Sequence, residues 1–333
     1  MTNILAKISL LSLLMVAFAC GKSESNESPV SSLDPTLQKL NQQIQANPAI
    51  PEAYLARAEY YYENNTYEQA IVDAQSALKI DSTHLNSLHL LADVYLDYFQ
   101  SKKAIETLEY ASSLYPSNIQ TLLKKSEFHY ILKQYEASMQ TINEILQQEP
   151  QNAEAFFMFG QNFMEQGDTA RAINSYQTAV EYEPELIDAW IKLGQLQAAI
   201  GNSIAGKYFD SAISIDPENP VVRHAKADYL ADQNKLTEAI QVYRELALID
   251  PNYDDAYFNS GLIYLDLDSI PQAYKQFDIC IKTAPLHIRA YYYRGLTAEF
   301  LDRKEQAIAD YKQALVLAPD FVDAKEGLSR VSR

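Results

Sequence analysis

The chain has 333 residues, with 44 acidic against 27 basic side chains and a net charge of −17. Such a field repels a polyanion, which excludes nucleic acid as a natural partner. Two cysteines exclude a disulfide framework, and 47% hydrophobic residues suffice for a large buried core.

The chain starts with Lys7, an apolar run from Ile8 to Ala19 and then Cys20. A helix over that run spans about 18 Å of a roughly 30 Å hydrocarbon core, too short to cross a membrane. A basic start, an apolar middle and small residues before a cut describe a secretory signal over residues 1–19. Ala17-Phe18-Ala19-Cys20-Gly21 resembles the bacterial lipobox, in which the cysteine becomes the lipidated first residue. The resemblance implies an exported protein, lipid-anchored at Cys20 to the bacterial cell envelope. In that family Gly21 in place of aspartate is compatible with the outer membrane. Ordinary cleavage after Ala19, leaving a free thiol, is the alternative. Residues 20–32 hold the lipidated N-terminus and a serine-rich flexible tether. Over residues 33–50, Asp34-Pro35 reads as N-cap and first helical residue, with Leu37, Leu40 and Ile44 on one helical face. This predicts a short capping helix.

From Pro51 the sequence repeats itself with a period of 34. Pro116, Pro150, Pro184, Pro217, Pro251, Pro285 and Pro319 keep one register, broken by a single step of 33 in the fifth copy. Counting each copy from its first helical residue, position 8 reads Ala58, Ala92, Ser126, Gly160, Gly194, Ala227, Gly261 and Gly295. Position 20 reads Ala70, Ala104, Ser138, Ala172, Ala205, Ala239, Ala273 and Ala307. Small residues in both columns require two helices to approach closely, and the missing residue beside Ile200-Gly201-Asn202-Ser203 predicts either a shifted helix crossing in copy five or a surface turn that absorbs the deletion without consequence. After Pro319, Ala324, Leu328 and Val331 predict a second capping helix over residues 322–333.

These columns resemble those of the tetratricopeptide repeat, matched in eight successive units over residues 51–321. The resemblance implies an all-α fold, an α-α superhelix (solenoid) of about eight helix hairpins with short capping helices. It further implies a concave groove, built from first-helix positions 2, 5, 9, 12 and 13, that holds other proteins. Those positions carry Glu59, Glu63, Asp93, Asp97, Glu127, Asp228 and Asp232, and toward the C-terminus Phe258, Leu262, Leu265, Tyr292, Leu296 and Phe300. In the copy from Ala153, the positions that differ from other copies are Glu154, Phe157, Gln161, Met164 and Glu165. The Lys and Arg of the family's carboxylate clamp are missing, so an acidic tail is not the expected ligand.

No phosphate-binding glycine loop, HExxH, CxxC or GxSxG occurs, and the five histidines are spread over five copies. Cys280 stands where most copies have alanine, as a small buried residue. The expectation is a non-enzymatic scaffold without cofactor or metal, anchored to a membrane. Its partner is a protein or peptide with basic and apolar residues. The alternative is a glycan or peptidoglycan binder that stacks sugars on Phe157, Phe258, Tyr292 and Phe300.

Overall fold

A computed structural model describes residues 34–333. The expected signal, lipidated Cys20 and tether lie outside the described residues, within which no helix is long and apolar enough to cross a membrane. The described residues are all-helical. They fall into two compact units, residues 34–82 and 83–333.

The first unit holds α1 (Pro35–Ala46), α2 (Pro51–Glu63) and α3 (Tyr67–Ile80). Asp34 caps α1 as its sequence requires, accepting the Thr36 N–H at 2.7 Å, with Pro35 in the first turn. The second unit continues with α4 (Leu85–Asp97), α5 (Ser101–Leu114), α6 (Ile119–Ile131), α7 (Tyr135–Gln148), α8 (Ala153–Glu165) and α9 (Thr169–Tyr182). Then come α10 (Ile187–Ala199), α11 (Ala205–Ile215), α12 (Pro220–Asp232), α13 (Leu236–Ile249), α14 (Asp254–Asp266) and α15 (Ile270–Thr283). The last three are α16 (Ile288–Phe300), α17 (Lys304–Leu317) and α18 (Val322–Val331). Each even-numbered helix from α2 to α16 pairs with the next to form a hairpin. Within the second unit every hairpin packs on its successor, so this part is a solenoid of tetratricopeptide-type hairpins.

One backbone device turns all eight hairpins. Position 15 is left-handed in every copy, at Asn65, Phe99, Lys133, Gly167, Gly201, Asn234, Asp268 and Asp302, with φ between 54° and 78°. Only two of the eight are glycine; Asn and Asp tolerate the conformation through local hydrogen bonds, whereas Phe99 and Lys133 hold it under strain. At the other junction, the side chains of Asn118, Asn152 and Asn219 cap α6, α8 and α12.

The position-20 column is fully buried throughout. Position 8 faces position 24, and ring size sets which residue fits. A Cβ on Gly160 would come within 2.4 Å of the Tyr176 ring, and one on Gly261 within 2.6 Å of Phe277. Where position 8 carries a Cβ, as at Ala58, Ala92 and Ser126, position 24 is Ala74, Leu108 and Ile142. Ala227 opposite Tyr243 is the exception. Half-buried arginines tie neighbouring layers: Arg57 spans Asn41 and Asp73 at 2.6 Å each, and Arg294 spans Asp278 and Asp310 at 2.6 Å each.

The fifth copy shows what its missing residue does. The other second helices start at position 17, but α11 starts three columns later at Ala205 and has 11 residues in place of 14. Beside α11 and α13 a cavity of about 820 Å³ opens, lined by Ser203, Gly206, Lys207 and Tyr229 among others.

Candidate functional site

On the first helices, exposure follows repeat position. Positions 2 and 13 are exposed in all eight copies, position 9 is exposed or half-buried, and position 5 alternates between buried and half-buried. Position-5 rings lie against the second helix of their own hairpin, as Phe157 does on Tyr176 and Phe258 on Phe277. The carboxylates at positions 9 and 13 therefore reach solvent, whereas most large side chains at position 5 serve the core.

The acidic positions differ in their surroundings. Glu59, Glu63, Asp97, Glu127 and Asp232 are exposed. Asp93 is not an open charge: Lys124, one hairpin on, approaches its carboxylate to 2.7 Å with both side chains about a quarter exposed. Burial nonetheless raises the Asp93 pKa, more than Lys124 lowers it. Asp228 is engaged too, accepting from the Tyr243 hydroxyl and from His224 Nε2 at 3.0 Å. These bonds outweigh its burial and hold the Asp228 pKa down, while its carboxylate holds His224 above the usual imidazole value. His89, half-buried and bonded to Thr121 Oγ1 at 2.8 Å, is shifted down by burial and by Lys124.

The apolar positions toward the C-terminus do not form the open patch that their spacing suggests. Phe258 is only 4% exposed, in a core cluster with Phe277 and Cys280, its ring 4.6 Å from that of His287. Leu262 and Leu265 pack on the same cluster. Tyr292 lies against Phe321 and Tyr311, and Leu296 is half-buried. Phe300 alone of the six is open, at 62%. The expectation fails for Phe258 because its ring fills the space between α14 and the α15–α16 layer. Of the four rings considered as sugar platforms, Phe258 is enclosed, Tyr292 is covered, Phe157 is half-buried against Tyr176 and Phe300 is free of such cover.

The first-helix face does open at α6, α8 and α10. A cavity of about 390 Å³ is lined there by Glu127, Glu154 and Asp188 above Leu123, Phe157 and Met158, with Gln161 and Lys124 at its edge. The floor is apolar: Leu123 and Met158 are buried and Phe157 leans on the Tyr176 ring. The three carboxylates belong to the first helices of successive hairpins, and Lys124, the one ammonium in the lining, is held by Asp93. Burial, then the charges of Glu183 and Glu127, raise the Glu154 pKa. A carboxylate raised by its neighbours' charge gains from a cation placed beside it. The arrangement suits a Lys or Arg side chain whose aliphatic stem, or a neighbouring apolar residue, covers Phe157. Lys124 was missed in the sequence because it sits at position 6, outside the columns counted as groove; its spacing of 31 residues from Asp93 is the signal that could have found it.

Comparison with known proteins supports the repeat assignment. Residues 160–201 and 227–268 match the TPR repeat model, and residues 288–321 match a tetratricopeptide repeat. The TPR repeat-containing protein YpiA of Bacillus subtilis is 25% identical over 82% of this chain and 65% of its own length. The human protein O-mannosyl-transferase TMTC1 is 24% identical over 56% of this chain. The chain spans 21% of the human protein. Among solved structures, the C-terminal part of a TPR repeat-containing protein from Cytophaga hutchinsonii aligns with a TM-score of 0.58 at 20% identity, covering 71% of this chain and 98% of that one. The chain therefore carries tetratricopeptide repeats on the corresponding solenoid fold, an architecture generally used as a non-enzymatic protein-interaction scaffold.

Proposed function

We propose that this protein is a membrane-anchored scaffold that holds a partner protein by a segment rich in basic and apolar residues, laid across α6, α8 and α10. The observation that carries the reading is the cavity lined by Glu127, Glu154 and Asp188 over the floor of Leu123, Phe157 and Met158. Its charge favours Lys or Arg and its floor favours an apolar neighbour, which together select a peptide over a simple cation. Within the second unit the exposed carboxylates Asp97 and Asp232 carry the same preference and steer the partner in. The anchor rests on the sequence around Cys20, and the serine-rich tether sets how far the repeats reach from the lipid.

A photo-crosslinker at Gln161 in intact membranes tests the site. Wild-type protein gives discrete adducts, and Glu127→Lys with Glu154→Lys removes them while circular dichroism stays unchanged. Adducts that persist at wild-type yield in the double variant would sink the site. Separately, Cys20→Ser should move the protein from the membrane to the soluble fraction; a chain that stays with the membrane refutes the anchor and leaves the cavity reading standing.

A further inference from the structure

Cys280, Asp254 and His287 come from three places in the sequence, yet each offers one ligand atom within 4.8 Å of the other two. Their repeat positions are unusual together. Position 1 reads Pro51, Leu85, Ile119, Ala153, Ile187, Pro220, Asp254 and Ile288, so Asp254 is the one carboxylate in an otherwise apolar column. Position 27 is Ala77, Ala111, Ala179, Ala212 and Ala314 in most copies, and Cys280 in this one. Position 34, the capping position, holds Asn in three copies and His287 here. Copy one also has a histidine in this column, His84, but its first and 27th positions are Pro51 and Ala77. Only the seventh copy departs in all three columns, and there the fold makes them converge.

We infer that Asp254, Cys280 and His287 form a binding site for a borderline divalent metal ion of the zinc class, with one coordination position left to water or a fourth ligand. Sulfur, imidazole nitrogen and carboxylate oxygen are the three donor types that such ions take from proteins. Zinc bonds of about 2.0–2.3 Å put tetrahedral ligands roughly 3.5 Å apart. The three donors therefore need to close by on the order of 1 Å, within reach of side-chain rotation. Charge also fits: a thiolate, a carboxylate and a neutral imidazole balance a dication, so the partly buried site becomes neutral on loading.

The metal-free groups are arranged for that exchange. Cys280 is fully buried, with its sulfur facing the Asp254 and His287 donors. Asp254 makes no ion pair among the described residues. The Phe258 ring, 4.6 Å from the His287 ring, excludes water from one side. His287 Nδ1 accepts the Ala290 N–H at 3.0 Å, which leaves the ring proton on Nε2. If the ion takes Nε2, the proton moves to Nδ1 and that cap bond is given up, with no net proton change on the ring. Loading therefore releases one proton, from the thiol, as the sulfur–metal bond forms.

The test is a Co²⁺ titration of chelator-treated full-length protein. One equivalent should produce the sulfur-to-cobalt charge-transfer band and the intense visible bands of a tetrahedral ion, and Zn²⁺ should abolish both by displacement. Affinity should rise with pH, because the ligating thiol gives up its proton to the solvent. Cys280→Ala and His287→Asn install residues that other copies carry in the same columns, so both should fold as wild type. Each should weaken binding at least about tenfold, and Cys280→Ala should also erase the sulfur band. A wild-type spectrum without that band, or unchanged affinity in either variant, overturns the assignment.

Discussion

The face of α6, α8 and α10 and the face of α14 and α16 occupy the same repeat positions and present opposite surfaces. At α8, Phe157 is half-buried and Glu154 and Gln161 help to line an open cavity. At α14 the corresponding positions are Phe258, buried in the core, and Leu262, packed on the same cluster. The difference lies in the next hairpin. Phe258 meets His287 and Tyr293, which close over it, whereas Phe157 meets Tyr176 of its own hairpin and leaves the space toward α10 open. A shared register thus fixes where a side chain starts, and the neighbour's bulk fixes whether it ends in core or on the surface.

The largest effect should come from truncating the two phenylalanines. Phe258→Ala is expected to lose about 4 kcal/mol in urea unfolding, as a buried ring does. Phe157→Ala should lose less than half of that; equal losses would mean that the α8 face is as closed as the α14 face.

The next effect tests the pairing of small residue and ring beneath the open face. Gly160→Ala should cost about 2 kcal/mol by overpacking Tyr176. Adding Tyr176→Leu recreates the combination found at Ala92 and Leu108, so the double variant should be more stable than the sum of the two single changes predicts. Strict additivity would show that the approach of ring and backbone is not what selects glycine.

Smaller still, Glu127→Lys should change stability by no more than about 0.5 kcal/mol, since the side chain is exposed and makes no ion pair among the described residues. A larger loss in thermal unfolding would make Glu127 structural.

Between the two faces, α12 offers the finest probe. His224, hydrogen-bonded to Asp228, has a raised folded pKa. Its stabilisation is complete below the ordinary imidazole range and is lost as pH rises through the folded value. Asp228 has a lowered folded pKa. Its stabilisation is present above the ordinary carboxylate range and is lost as pH falls through the folded value. In NMR titration His224 should titrate above free histidine, and Asp228→Asn should bring it down; a shift that survives the substitution would assign it to another group.

Much of the fold was legible in the sequence because the determinants are periodic and short-range. The columns of Ala172, Gly160 and Pro184 register helix approach and helix ends, and the Tyr176 ring that leaves no room for a Cβ at Gly160 belongs to the same hairpin. The candidate site was legible only in part. Glu127 and Phe157 were named from their positions, but the pairing of Asp93 with Lys124, and the closure over Phe258, depend on the next hairpin. At position 15, Phe99 and Lys133 adopt the same left-handed turn as the glycines of other copies, which residue type alone does not predict.

By itself the sequence determined the number of hairpins, the small-residue seams between them and the acidic bias of the first helices, since steric fit and charge repeat with the 34-residue period. The tertiary structure decided which carboxylates stay open, where the shortened α11 leaves a cavity, and that Asp254, Cys280 and His287 meet. These depend on packing between neighbouring helices, where the volume of one side chain settles the environment of another, and no periodicity along a single helix records that volume.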